Sequence, residues 1–418
     1  MNRRAVLAAA AAVAVAVAAY ALLPQDPAAT QDHAVAVPVE DPALVLEAAS
    51  VNNEFAVDFY NQVSGGDGNI FFSPLSMYVA FSALYEGARG ETAEQIRQAF
   101  GLSSDADTRR AEIGGMVDHI SRPDPYSTLA MANALWADDD LHMLDTYKDT
   151  VRGSYGMHVE NLDLLEDGIE RVNGWIEENT NGTIRDVLKE RDITYLARFV
   201  ITNAIYLDAE WGTQFPKEDT RDAYFWKNSR EHTRAEIMSV YGTFDHASLD
   251  GFQIVRLPYK GERLSMLVLL PDGRDGIAGL EESLSAPNID AWRNDMAPTA
   301  MGVQIPRFET HSRYNLVDDL KGLGVVDVFT SSLSDLSGIG WDAVTGNGLY
   351  VSPAIHRGFV DVHEEGTEAA ATTVIVGVTT SQSMLHQFRA DHPFIFMIQD
   401  DETGALLFMG RVADPTAG

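Results

Sequence analysis

Glu364-Glu365-Gly366-Thr367-Glu368-Ala369-Ala370-Ala371-Thr372-Thr373-Val374-Ile375-Val376-Gly377-Val378-Thr379-Thr380-Ser381-Gln382-Ser383 is the stretch on which the fold turns. It is small at one end, β-branched in the middle and polar at the other. It holds no proline, so every backbone N–H can join a β-ladder. Read with period two, Thr367, Ala369, Ala371 and Thr373 share one face, and all are small enough to slide into a packed interior. Glu368 falls on the opposite face, where its charge can stay wet. Alone, the stretch also reads as an ordinary strand or a linker, so its surroundings must decide.

Working outward, helical and strand patterns are mixed. Val51, Phe55, Phe59 and Val63 fall on one helical face, and Gly65-Gly66 is a natural stop. Ser73-Pro74 has the form of an N-cap followed by proline at the first helical position. Ile169, Val172 and Ile176 make another helical stripe, ending near Asn181-Gly182. Phe199 to Leu207, Leu264 to Leu270 and Gly302 to Phe308 read as buried strands, apolar on both faces. Phe394 to Ile398 and Ala405 to Met409 read as a strand pair around turn residues Asp400, Asp401, Thr403 and Gly404. Helices cluster early and strands late, which indicates an α+β fold. No repeat or internal linker divides the body, so one large domain is expected.

The chain has 418 residues, 45% hydrophobic and 22% charged, which excludes a disordered, collagenous or polytopic membrane chain. It has no cysteine, which excludes disulfides, thiolate metal sites and a thiol nucleophile. The formal net charge is -32. Such a surface repels phosphates and sulfates, so nucleic acid and heparin-type polyanions are excluded as partners. Lysines number six (Lys148, Lys189, Lys217, Lys227, Lys260 and Lys321); the other basic residues are arginine. This balance suits a salty medium and equally an ordinary solubilising surface; the second reading is adopted.

The N-terminus stands apart. Met1-Asn2-Arg3-Arg4 is followed by an uncharged, Ala- and Val-rich run from Ala5 to Leu23. That pattern reads as an export signal, with an uncleaved membrane anchor as the competing reading. The expected organisation is therefore 1–23 as signal peptide or anchor, 24–46 as a flexible Pro- and Ala-rich leader, and 47–418 as the folded domain. The mature protein would be secreted, periplasmic or anchored at the outer face of the cell membrane.

Catalytic signatures are missing. There is no G-x-S-x-G elbow, no Walker A loop, no H-E-x-x-H and no convincing G-x-G-x-x-G. The 11 histidines are dispersed, and Asp138-Asp139-Asp140 reads as a solvated charge run. No enzyme activity, cofactor or metal is expected.

Glu-Glu-Gly-Thr-Glu-Ala-Ala-Ala-Thr from Glu364 resembles the hinge of the serpin reactive-centre loop. Four further segments are similar to motifs of that family, in the same order. They are Asn69-Ile70-Phe71-Phe72-Ser73-Pro74-Leu75-Ser76; Asn203-Ala204-Ile205-Tyr206-Leu207 with Trp211 and Phe215; Leu257-Pro258-Tyr259-Lys260-Gly261 with Ser265-Met266-Leu267; and Phe388-Arg389-Ala390-Asp391-His392-Pro393-Phe394 continued by Leu407 to Val412. The resemblance runs from about Glu47 to Pro415. It implies a single domain of three β-sheets and eight or nine helices, with an exposed reactive-centre loop and a metastable native state.

It further implies a monomeric suicide-substrate inhibitor of serine proteases, extending to cysteine proteases, that traps the acyl-enzyme by loop insertion. On this resemblance Glu364, Gly366, Thr367, Glu368, Ala369, Ala370, Ala371, Thr372 and Thr373 belong to the hinge. Ser73, Ser76, Asn203 and His356 match the shutter, a polar cluster under the sheet, and Trp211 matches the breach, where the loop first enters. Hinge-to-cleavage spacing puts the reactive bond at Thr380–Ser381, with Val378 or Thr379 as alternatives. Small or β-branched residues there imply an elastase- or subtilisin-like target. The alternative is a non-inhibitory chaperone, carrier or storage protein on the same fold. Such members place bulky, charged or proline residues in the hinge, where this chain has Ala369, Ala370 and Ala371, so inhibition is the preferred reading.

Overall fold

The computed structural model describes residues 41–193, 199–342, 348–367 and 386–417. Among them are nine α-helices and seventeen strands in three sheets, a mixed α+β architecture as the resemblance implies. The N-terminal run, the greater part of the 364–383 stretch and its reactive bond at Thr380–Ser381 lie outside the described residues. So do hinge residues Glu368 to Thr373.

Helix α1 (Pro42–Val63) starts where the Asp41 carboxylate accepts the Ala43 N–H at 2.9 Å. Residues 42–46, in the segment expected to be a leader, are thus its first turn. Strand β1 (Ile70–Phe72) leads into α2 (Pro74–Gly87), which Ser73 caps by accepting the Ser76 N–H at 3.2 Å. Helix α2 is apolar nearly all round and buried except at Tyr85 and Glu86, as a central helix must be. Helices α3 (Gly90–Ala99) and α4 (Ala106–Ile120) follow, then β2 (Ser127–Asp138), β3 (Leu141–Met143), α5 (Asp145–Tyr155), β4 (His158–Leu162), α6 (Gly168–Asn179) and β5 (Phe199–Glu210). The later strands are β6 (Arg221–Trp226), β7 (His232–Leu249), β8 (Phe252–Pro258), β9 (Leu264–Pro271), β10 (Ala297–Pro306), β11 (Phe308–Asn315), β12 (Gly340–Asp342), β13 (Ala354–Val362), β14 (Gly366–Thr367), β15 (His386–Arg389), β16 (Phe394–Asp400) and β17 (Leu406–Val412).

One expected strand, Gly302 to Phe308, proves to be two. Pro306 lacks an N–H and ends β10, and after Arg307 the chain crosses to a different sheet as β11. The larger sheet has the order β1-β17-β16-β9-β8-β7-β10-β15, with β6 paired to β7. Its β16–β17 hairpin is buried along its whole length.

The central sheet has the order β11-β13-β14-β5-β2-β4, and it positions the site. Side chains of β5 alternate between two cores. Ile201, Ile205, Leu207 and Ala209 join the main core, which holds α2. Val200, Ala204 and Tyr206 pack with Val172 and Ile176 of α6. Both faces are therefore covered, and any strand added here must carry side chains that fit two packed interiors.

Candidate functional site: a forked seam in the central sheet

The site lies between β5 and β13. Their lower parts pair in parallel, from Ala354↔Ile201 to Gly358↔Ile205. Above Gly358 they diverge. At the top β14 stands between them, antiparallel to both: Gly366↔Glu210 and Thr367↔Ala209 on one side, Thr367↔Val362 on the other. The sheet is thus a fork whose mouth already holds two residues of the 364–383 stretch.

The entry is held from several directions. Backbone N–H groups of Trp211 and Phe215 donate to the carbonyls of Glu365 (2.9 Å) and Glu364 (3.0 Å). The Trp211 indole N–H donates to the His363 carbonyl at 2.9 Å. That indole is 2% exposed and stacks on Tyr259, with ring centroids 4.6 Å apart. The Tyr259 hydroxyl lies 2.7 Å from Thr367 Oγ1, and both side chains are buried. At Gly366 the backbones approach so closely that a Cβ would sit 2.1 Å from the Ala209 carbonyl oxygen, so no other residue fits unchanged.

The two acids before the hinge are also tied down. Glu365 pairs with Lys217 and lies 3.1 Å from His363 Nδ1. Burial raises the Glu365 pKa, but Lys217 and His363 outweigh it and the carboxyl titrates below its usual range. Glu364 accepts from Thr220 Oγ1 at 2.7 Å and lies 3.6 Å from Arg307.

A second cluster crosses the seam where β5 and β13 still pair. The register places His356 beside Asn203, and Asn203 beside Asn133 of β2, in one row across three strands. His356 Nδ1 bonds Asn203 Oδ1. The Ser73 backbone N–H donates to His356 Nε2 at 3.1 Å. That bond fixes the tautomer: Nε2 accepts, so the proton sits on Nδ1. Asn203 Nδ2 and Ser76 Oγ both donate to Asn133 Oδ1 at 2.8 Å. All five side chains are buried. Burial drives the His356 pKa down to about 3, so the imidazole is neutral at ordinary pH.

The structure brings Ser73, Ser76, Asn203 and His356 into one network, and Trp211, Gly366 and Thr367 into one entry. Asn133, Lys217 and Thr220 were missed by the sequence reading, which placed Tyr259 in a family motif but gave it no role. A signal existed for Asn133, a lone amide inside the otherwise apolar Met131–Ala137 run. No pattern in the sequence links Tyr259 to Thr367, 108 residues apart. Among the described residues no group of three or more His, Asp or Glu side chains is placed to hold a metal, and no helix is long and apolar enough to cross a membrane.

Comparison with known proteins agrees with this architecture. The family model described as Serpin (serine protease inhibitor) matches residues 50–415. Human Serpin B3 is 33% identical over 392 residues, covering 88% of this chain and 99% of that protein. The leukocyte elastase inhibitor of Xenopus laevis is 32% identical over 385 residues, covering 88% and 99%. The crystal structure of uncleaved ovalbumin matches with a TM-score of 0.78 at 28% identity, covering 88% of this chain and 100% of that one. The chain belongs to the serpin (serine protease inhibitor) family.

Proposed function

We propose that the chain is an exported suicide-substrate inhibitor of serine proteases with elastase- or subtilisin-like pockets, and not an enzyme. The observation that carries this reading is the fork: Gly366 and Thr367, which open a proline-free stretch of small residues, stand in the mouth of the seam between β5 and β13. The protease's serine attacks the Thr380 carbonyl, forms an ester to it and releases Ser381 as a new amino terminus. The freed segment then continues down the seam in the register that β14 has begun.

That register can be counted. With Thr367 opposite Ala209, each further residue lies opposite one nearer the start of β5. Ala369 then meets Leu207, Ala371 meets Ile205, Thr373 meets Asn203 and Gly377 meets Phe199, where β5 begins. The main-core face thus receives Thr367, Ala369, Ala371 and Thr373, and Glu368 falls on the other face opposite Asp208, which is only half-buried. The insert gains a ladder on each side, at the cost of five parallel register pairs. The added strand from Thr367 to Gly377 is roughly 33–34 Å long, so a protease esterified at Thr380 is carried at least that far.

In this reading His356, Asn203, Ser73, Ser76 and Asn133 act as the shutter, since their bonds cross the seam. Trp211 with Tyr259 acts as the breach, gripping the first inserted residues. Val378, Thr379 and Thr380 suit a small or shallow primary pocket and offer nothing to a pocket that pairs Arg or Lys. The name of the Xenopus relative, a leukocyte elastase inhibitor, is in keeping with this choice. The test is incubation with a panel of elastase-, subtilisin-, chymotrypsin- and trypsin-like proteases. A covalent complex that survives SDS is expected with the first two classes. Cleaved protein and fully active protease in every case would refute the reading.

A further inference from the structure

The second neighbour of the insert brings like charges together. With Thr367 opposite Val362, the next residue down the seam lies opposite Asp361 of β13, just as it lies opposite Asp208 of β5. Glu368 would therefore arrive between two aspartates. Strand β11 adds a further acid to the same row, since Glu309 pairs with Asp361. On the other side the row ends at Thr128 of β2, which carries no charge. Residues directly opposite in a ladder point to one face, from strands about 4.8 Å apart, and like charges so placed repel.

The fork mouth is already short of positive charge. Asp208 and Asp361 are half-buried. Burial raises the pKa of both carboxyls; Glu210 adds to the rise at Asp208, and Glu309 and Glu364 add to it at Asp361. The nearby basic side chains have acids of their own. Lys260 is 2.9 Å from Glu210, Lys217 pairs with Glu365, and Arg307 lies 3.3 Å from Glu236 and 3.6 Å from Glu364. Arg307 acts on Asp361 alone, whereas His363 acts on both aspartates and opposes their rise. His363 lies two residues past Asp361 and so shares its face. Gly366, which accepts the His363 N–H at 3.0 Å and stands opposite Glu210, has no side chain to screen the ring from the acids. The ring is buried, and its Nδ1 has two partners. It accepts the Glu365 backbone N–H at 3.3 Å and lies 3.1 Å from a Glu365 carboxylate oxygen. The first partner needs a bare nitrogen and the second a protonated one, so both states of the ring are provided for.

We propose that strand insertion takes up a proton from solvent at His363, held among Asp208, Asp361 and Glu365, and that mildly acidic media therefore favour trapping of the protease. The proposal rests on the inhibitor reading above. Histidine is the side chain whose charge changes between about pH 5 and 8. Insertion fixes one more carboxylate in the row, so the inserted state binds the proton more tightly than the state before it. By linkage, a lower pH then favours insertion, and the advantage is lost as the pH rises and the ring gives up its charge. His363 is a positioning residue: it acts on the insert through charge and does not touch the scissile bond.

The test measures inhibition stoichiometry with an elastase-type protease from pH 8 to pH 5.5 for wild type, His363→Gln and Asp208→Asn. Each variant is compared with wild type at the same pH, which cancels the protease's own titration. At pH 5.5 the His363→Gln variant should lose roughly threefold more inhibitor to simple cleavage than wild type. At pH 8 the two should match. Asp208→Asn should lose less than wild type at pH 8, because one of the repelling charges is gone. Thermal unfolding in guanidinium chloride repeats the comparison without a protease: at pH 8, Asp208→Asn should raise the melting temperature more in nicked than in intact protein. A His363→Gln offset that is equal at every pH marks a purely structural role and overturns the proposal. So does an Asp208→Asn profile that coincides with wild type. Calcium ions that reproduce the acid effect at pH 8 in wild type, and not in Asp208→Asn, would make a metal ion the counter-charge and overturn the proton. A wild type that forms no complex, and gains no melting temperature on nicking, would bring down the inhibitor reading as well. A normal complex with these flat profiles brings down the proton uptake alone.

Discussion

Replacing His356 with glutamine removes the titrating group from the cluster that crosses the seam. His356 is neutral in the fold, with its pKa held at about 3 by burial, and has an ordinary histidine pKa near 6.5 when unfolded. The folded value is depressed, so above about pH 6.5 neither state binds the proton and the group is silent. Below that pH the unfolded chain takes up a proton that the fold refuses. Stability therefore falls as pH drops from 6.5 toward 3. Between pH 7 and pH 5 the loss from this one residue is about 2 kcal/mol. That figure barely depends on the folded value, provided it lies well below 5. His158 and His246 are also depressed, chiefly by burial, and add to the wild-type slope. The informative quantity is thus the difference between wild type and His356→Gln. At pH 7 the variant should be less stable by about 1–3 kcal/mol, because glutamine has no counterpart of the ring Nδ1–H that donates to the buried Asn203 Oδ1. By pH 5 that gap should have closed by about 2 kcal/mol. Urea unfolding followed by tryptophan fluorescence at half-unit pH steps reads both numbers. Parallel pH profiles for the two proteins would refute a neutral, seam-crossing His356.

Three further outcomes are expected. Thr367→Arg puts a charge where the hydroxyl now meets Tyr259 in a buried setting, a change worth several kcal/mol; the stoichiometry of inhibition should rise severalfold, and an unchanged value counts against the register. Gly366→Ala forces a methyl to within 2.1 Å of the Ala209 carbonyl oxygen; the backbone shift, about 1–3 kcal/mol, should loosen the hinge from the fork mouth and speed amide exchange at Trp211, whereas wild-type exchange would contradict the close approach. Mass spectrometry of the C-terminal fragment released by an inhibited protease should find a start between Thr379 and Ser381; a start at Leu385 or His386 would overturn the elastase- or subtilisin-type specificity and favour a chymotrypsin-like target.

Local signals carried the parts of the fold with local causes. Ser73-Pro74 reads as a helix start because a hydroxyl cap and a fixed proline φ act within one turn, and α2 begins there. The apolar run from Phe199 reads as a buried strand because both of its faces are covered, and β5 follows, extended to Glu210. The leader boundary was missed because Asp41 and Pro42 form the same kind of helix start within a Pro- and Ala-rich context. The break at Pro306-Arg307 was missed because apolar alternation continues across it while the chain changes sheets.

The candidate site was half legible. Its residue types stood out, since a stretch of small and β-branched residues and a histidine in an apolar strand are both unusual. Their mutual geometry did not, because it depends on pairing distant segments: Thr367 with Ala209, His356 with Asn203, Ser76 with Asn133. Asn133 shows the limit well. Nothing near it in sequence needs an amide; the need arises only when β5 and α2 arrive with an amide and a hydroxyl that require an acceptor.

The central claim is that the seam admits a whole new strand once the bait is cut. Thermal unfolding of the intact protein, side by side with protein nicked between Val378 and Ser381, measures it directly. On this claim, insertion would extend ladders on both sides of the added strand and fill the fork, which would make the native form the less stable, kinetically held one. The nicked protein should unfold at a much higher temperature than the intact one. Equal melting temperatures before and after cleavage would contradict insertion.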